Sequence, residues 1–110
     1  MDYFQKVIYD DTWSIYLVDE NDNVIADENA DAETDIEKRE VYFRRNGVTL
    51  LTCRHESFHI LFSYSFTDSA NLDSLQTEEI CCELYAYQGK KIDNLAEEIY
   101  TELVKLRDGG

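Results

Sequence analysis

Proline is absent from this chain of 110 residues, and no repeat, low-complexity tract or linker interrupts it. A chain of this length with no linker is expected to form one domain, residues 1–110, with a single modest core. Basic residues are few, ten Lys and Arg against 24 Asp and Glu, which leaves a formal net charge of −14. Such a charge opposes association with nucleic-acid phosphates and favours basic partners. Long apolar runs are missing too, so no segment is expected to span a membrane. The start, Met1-Asp2-Tyr3-Phe4-Gln5-Lys6, lacks the basic residues and apolar core of a secretion signal, and a cytoplasmic protein is expected. Cysteine is limited to Cys53, Cys81 and Cys82, an odd count with two adjacent. That pattern suits neither a disulfide framework nor a cysteine zinc site, and the three are read as reduced, buried small hydrophobes.

What is present begins with strand patterns, and residues 1–45 read as mostly β. Phe4 to Tyr9 and Thr12 to Asp19 are rich in β-branched and aromatic residues, and Trp13, Ile15 and Leu17 alternate with Ser14, Tyr16 and Val18. Glu20-Asn21-Asp22-Asn23 is a polar turn before a short apolar piece, Val24 to Ala26. An acidic loop follows, and a hairpin is predicted with Ala32 to Ile36 pairing with Glu40 to Arg44 around Glu37-Lys38-Arg39.

Residues 46–110 read as mostly α. Asn46-Gly47 ends the sheet, and Val48 to about Phe62 is apolar nearly all round, as a central buried helix would be. After a polar loop, Thr67 to Asp73, a second helix capped by Asp73 or Thr77 is expected to run to about Gln88 and stop at Gly89. A third, Asp93 to Arg107, carries Leu95, Ala96, Ile99, Leu103 and Leu106 on one stripe, with Asn94 and Glu97 at capping-box spacing. The expected fold class is therefore α+β: a small antiparallel N-terminal sheet packed on a central helix and two further helices.

Histidine is scarcer than cysteine, yet both histidines fall in one motif, His55-Glu56-Ser57-Phe58-His59. Residues four apart lie one above the other on a helix, so His55 and His59 can aim ring nitrogens at one metal ion. Glu56 between them can then reach a water on that ion, the arrangement of a zinc hydrolase. A catalytic zinc usually has three protein ligands and an open position. No histidine remains, so a carboxylate is expected as the third ligand: Glu79, twenty positions after His59, with Glu78 competing. Glu83, one turn beyond Glu79, can hold the far nitrogen of a ligating imidazole. Glu56 would act as general base, and Tyr64, Tyr85 or Tyr87 would steady the developing oxyanion.

These features resemble the small HExxH proteins of phages and prophages, which look like cut-down relatives of the ImmA/IrrE metallopeptidases. The resemblance covers roughly Ala32 to Tyr87. It rests on the hairpin Glu33 to Phe43, the helix Leu50 to His59 and the run Glu78-Glu79-Ile80-Cys81-Cys82-Glu83-Leu84. It implies a minimal zincin-like core, Zn2+ held by His55, His59 and Glu79, Glu56 as base, and strand Val41 to Arg44 as the edge where substrate docks. It further implies a gluzincin-like metallopeptidase acting on a peptide or protein in a bacterial cell. A rival from another functional class is an acidic, non-catalytic binding protein. It would act as a phage anti-defence inhibitor or nucleic-acid mimic that occupies a basic host protein and keeps a zincin fold. A third is an assembly scaffold that uses the stripe on its last helix as an oligomer contact.

Overall fold

A computed structural model describes residues 2–65 and 74–109 of the chain, with the side chains of residues 65, 74–77 and 87 left aside. Four strands come first: β1 (Asp2–Ile8), β2 (Asp11–Val18), β3 (Ala32–Asp35) and β4 (Glu40–Arg44). A 3-10 turn (Arg45–Gly47) leads to helix α1 (Leu50–Ser65), and helix α2 (Ser74–Gly109) completes the fold. The α+β class, the N-terminal sheet and the placing of the histidine motif on the first long helix are as the sequence leads one to expect.

The four strands form one sheet in the order β1-β2-β4-β3. The outer pairs are antiparallel hairpins, but β2 and β4 run parallel, Ser14 beside Glu40 through Val18 beside Arg44. The sheet is thus mixed rather than wholly antiparallel. After β2 the chain crosses to the far edge, lays down β3, and turns back to insert β4 between them. In that central position Val41 and Phe43 are fully buried beneath the helices. The strand Val41 to Arg44 is therefore interior, and β3 is the free edge beside it.

The β1–β2 turn places Tyr9 and Asp10 at φ of 48° and 70°. This left-handed pair suits the twist of a two-residue hairpin. Tyr9 is held there by an edge-on contact with Tyr64, ring centroids 5.1 Å apart, and by a hydrogen bond from Lys91 of 3.0 Å.

Both helices cover one face of the sheet. Trp13, Ile15 and Leu17 of β2 and Val41 and Phe43 of β4 meet Cys53 and Ile60 of α1 and Ala96, Ile99 and Leu103 of α2. The opposite face is open and carries Tyr3, Tyr16 and Tyr42 stacked in a row, with neighbouring centroids 5.2 and 5.1 Å apart. Glu40 lies beside that row and accepts a 2.9 Å hydrogen bond from the Tyr42 hydroxyl. Desolvation, that bond and the carboxylate charge together push the Tyr42 phenol well up.

The second and third expected helices are one continuous rod, so Gly89 does not stop α2 and Asn94 does not cap a new helix. An interior glycine costs a helix only about 1 kcal/mol relative to alanine. Leu84 on one side and Ile92 on the other are buried in the same core and hold the helix through it. The expected loop Thr67 to Asp73 lies outside the described residues.

Two buried positions give direct tests. A Cβ on Gly47 would sit 2.7 Å from both Cβ and the carbonyl oxygen of Asp31, and that oxygen already accepts a 2.9 Å bond from the Arg44 amide. Gly47→Ala is expected to destabilise the fold by roughly 1–3 kcal/mol in urea unfolding. The Cys53 thiol is buried, and desolvation, then the nearby Glu56 charge, push it up to about 12. Cys81 is half-buried and Cys82 exposed rather than buried as expected, so at mildly alkaline pH iodoacetamide should label Cys82 first and reach Cys53 only on unfolding, as mass spectrometry would show.

Candidate metal centre

Helix α1 starts where Thr49 caps it, its hydroxyl accepting the Thr52 amide at 3.0 Å. From that start Cys53, Ser57 and Ile60 fall on the face turned to the sheet, all fully buried. His55 and His59 fall on the outer face and are exposed, while Glu56 lies between the two faces at 3% exposure. This division is fixed by helical geometry once the core residues choose their side.

The two imidazoles converge. Their Nε2 atoms are 3.2 Å apart, with ring centroids 4.8 Å apart and planes crossing at 76°. Two nitrogens bound to one tetrahedral zinc at about 2.05 Å would lie about 3.3 Å apart, so the observed spacing fits a shared ion. The Glu56 carboxylate belongs to the same group, all ligand atoms lying within 4.8 Å of one another. The imidazole pair can thus hold a divalent metal, with Glu56 beside it as a further ligand or a partner for a water.

Glu56 is held from the sheet side. The Thr34 hydroxyl on β3 donates to its Oε2 at 3.1 Å. Thr34 was not singled out as a site residue from sequence. Its one signal is positional: it shares an inward face with Ala32, where a polar residue needs a buried partner.

Among the described residues the metal-competent group is His55, Glu56 and His59. Glu78, Glu79 and Glu83 are exposed on α2 and are not in it. The reason is the helix–helix register. Arg54 pairs with Asp93 at 3.4 Å, and His55 and Phe58 share a groove with Tyr85 and Ile92, so α2 runs antiparallel to α1. Glu79 stands six residues before Tyr85, about 9 Å farther along the axis.

The three tyrosines separate. The Tyr64 hydroxyl is engaged elsewhere, accepting from Trp13 Nε1 at 2.7 Å and donating to Asp11 at 2.9 Å. Burial is the main cause that raises its pKa. Tyr85 is 72% exposed and lines the groove of about 540 Å³ beside His55. The Tyr87 side chain lies outside the described residues. Tyr85 is thus the candidate that the structure brings to the histidines' side.

A second buried polar centre lies at the end of β4, around Arg44. Its guanidinium is buried and donates to five backbone carbonyls of the loop between β2 and β3: Glu20, Asp22, Ile25, Asp27 and Ala30, at 2.8 to 3.4 Å.

No protein-family model, curated protein or solved structure matches this chain. Among the described residues, no helix is long and apolar enough to cross a membrane.

Proposed function

We propose that the chain is a zinc-dependent peptide hydrolase, a minimal relative of the ImmA/IrrE metallopeptidases of phage or prophage origin, acting in the bacterial cytoplasm. The observation that carries this reading is the 3.2 Å approach of His55 and His59 Nε2 with the Glu56 carboxylate alongside. Imidazole nitrogens suit zinc as they suit other late first-row ions, and zinc is the ion of the hydrolases this motif resembles. When bound, zinc supplies Lewis acidity that polarises a carbonyl and brings the pKa of a water towards neutrality.

The chain's own residues do the rest. Glu56 accepts the proton of the attacking water and returns it to the leaving amine. Thr34 fixes the carboxylate by its hydrogen bond, and Tyr85 is the donor at hand for the oxyanion. Substrate docks on β3. The Arg44 amide bonds to the Asp31 carbonyl, so by alternation Glu33 and Asp35 turn their backbone groups to β4. Ala32 and Thr34 then present theirs outward, at the free edge next to Glu56. An extended peptide can add there as a further strand. The net charge of −14 favours basic peptides.

The test uses zinc-loaded protein incubated with an unfolded, lysine-rich protein, reading new N-termini by mass spectrometry. New termini with wild type and none with Glu56→Gln support the reading; the same termini from both, or none from either, oppose it.

A second reading has one observation of its own. The acidic loop is wrapped on Arg44, which displays exposed Asp19, Glu20, Asp27, Glu28 and Asp31 from a defined frame. Such a surface suits stoichiometric binding to a basic protein. That binding would ignore Glu56→Gln and weaken steeply with salt.

A further inference from the structure

We propose that the His55–His59 pair can be completed by a second copy of this chain, so that one zinc ion joins two molecules and the joined form is closed to substrate. This rests on the metal reading above and concerns how the same site is regulated.

The donor set of one molecule is short. Two imidazoles hold zinc weakly, whereas closed sites use four ligands. Among the described residues the only further member of the group is Glu56, which is buried and already bonded to Thr34, and the chain has no other histidine. The pair itself is on the outer face of α1 and exposed, where a second molecule can reach it.

Beside it runs a groove that is apolar except for the Arg54–Asp93 ion pair. Leu51, one turn before His55, is 74% exposed, and Tyr85 across the groove is 72% exposed. Half-buried Phe58 lies between them in the same groove. Exposed apolar side chains clustered round a site mark a contact surface. In a two-fold contact the same patch meets itself, so each copy brings its own pair to the axis. Four imidazoles then fill a tetrahedron, and no position is left for a water or a carbonyl.

Charge argues for the metal as the necessary link. Two chains of −14 repel, so the contact should need the coordinate bonds to a shared zinc and strengthen as salt screens the repulsion. Hydrolysis would then decline as protein concentration rises, a self-limiting device.

Native mass spectrometry and sedimentation at rising protein concentration, with zinc and moderate salt, read both mass and metal. The expected result is a dimer holding one zinc per two chains, dispersed by EDTA and absent in a folded His59→Ala. Leu51→Glu leaves the metal ligands intact and should raise the dimer dissociation constant at least about tenfold while a monomer still takes up zinc. Monomers with one zinc per chain at every concentration would overturn the dimer and leave the metal reading standing. No zinc bound at all would overturn both.

Discussion

Arg44→Met is expected to destabilise the protein by about 3–5 kcal/mol, the range for removing one side of a buried charged network. The guanidinium donates Nε to Ala30, Nη1 to Glu20 and Asp22, and Nη2 to Ile25 and Asp27. Hydrogen bonds to a charged group contribute roughly 1.5–3 kcal/mol each, and five of them would far exceed the expected total. The difference is relaxation: once released, the loop can open and its carbonyls can bind water. For a domain of this size the loss corresponds to a fall in Tm of roughly 15–25 °C. Amide hydrogen exchange should quicken first in residues 19–31. Arg44→Lys should recover little, because a compact ammonium cannot reach carbonyls on several sides at once. A loss below about 1 kcal/mol would mean that the loop is held by something else. The same variant bears on the rival reading, since an inhibitor that needs a defined acidic loop would lose affinity with it.

Glu56→Gln is expected to lower kcat/KM by about 10²–10⁴ for the proposed hydrolysis, the usual contribution of a positioned general base. The substitution is close to isosteric, and the amide oxygen can still accept the Thr34 hydroxyl that now bonds Oε2 at 3.1 Å. The imidazoles on the outer face are untouched, so metal uptake should persist. Removing a carboxylate at 3% exposure should hold or slightly raise stability. Unchanged turnover together with unchanged metal would assign the base elsewhere, and lost folding would make Glu56 a structural residue.

Local geometry was legible in the residues, and assembly was not. The spacing of His55 and His59 sets their common face without reference to anything outside α1, and on that face the rings turn to within 3.2 Å. The alternation of Trp13, Ile15 and Leu17 marks β2 and its inward face, and the hairpin of β3 and β4 turns where Glu37-Lys38-Arg39 suggested. Alternation is blind to direction and neighbour, however, so it could not show that β4 lies parallel to β2 and leaves β3 at the edge. Gly89 and the Asn94–Glu97 spacing were local stop and start signals, overridden because buried Leu84 and Ile92 flank them in one core. The site of Glu79 depends on how far one helix slides along another. The contacts of Arg54 with Asp93 and of His55 with the Tyr85 groove show that register. Arg44 was overlooked because its partners are carbonyls, which every residue carries and no composition reveals.

The most direct measurement is the zinc content of the folded protein, purified without added metal, equilibrated with zinc and dialysed, beside His55→Ala and His59→Ala. Wild type should retain between half and one ion per chain, and both variants should lose it while keeping the circular dichroism of the native fold. Zinc retained by either variant, or none held by the wild type, would contradict a metal centre on this pair.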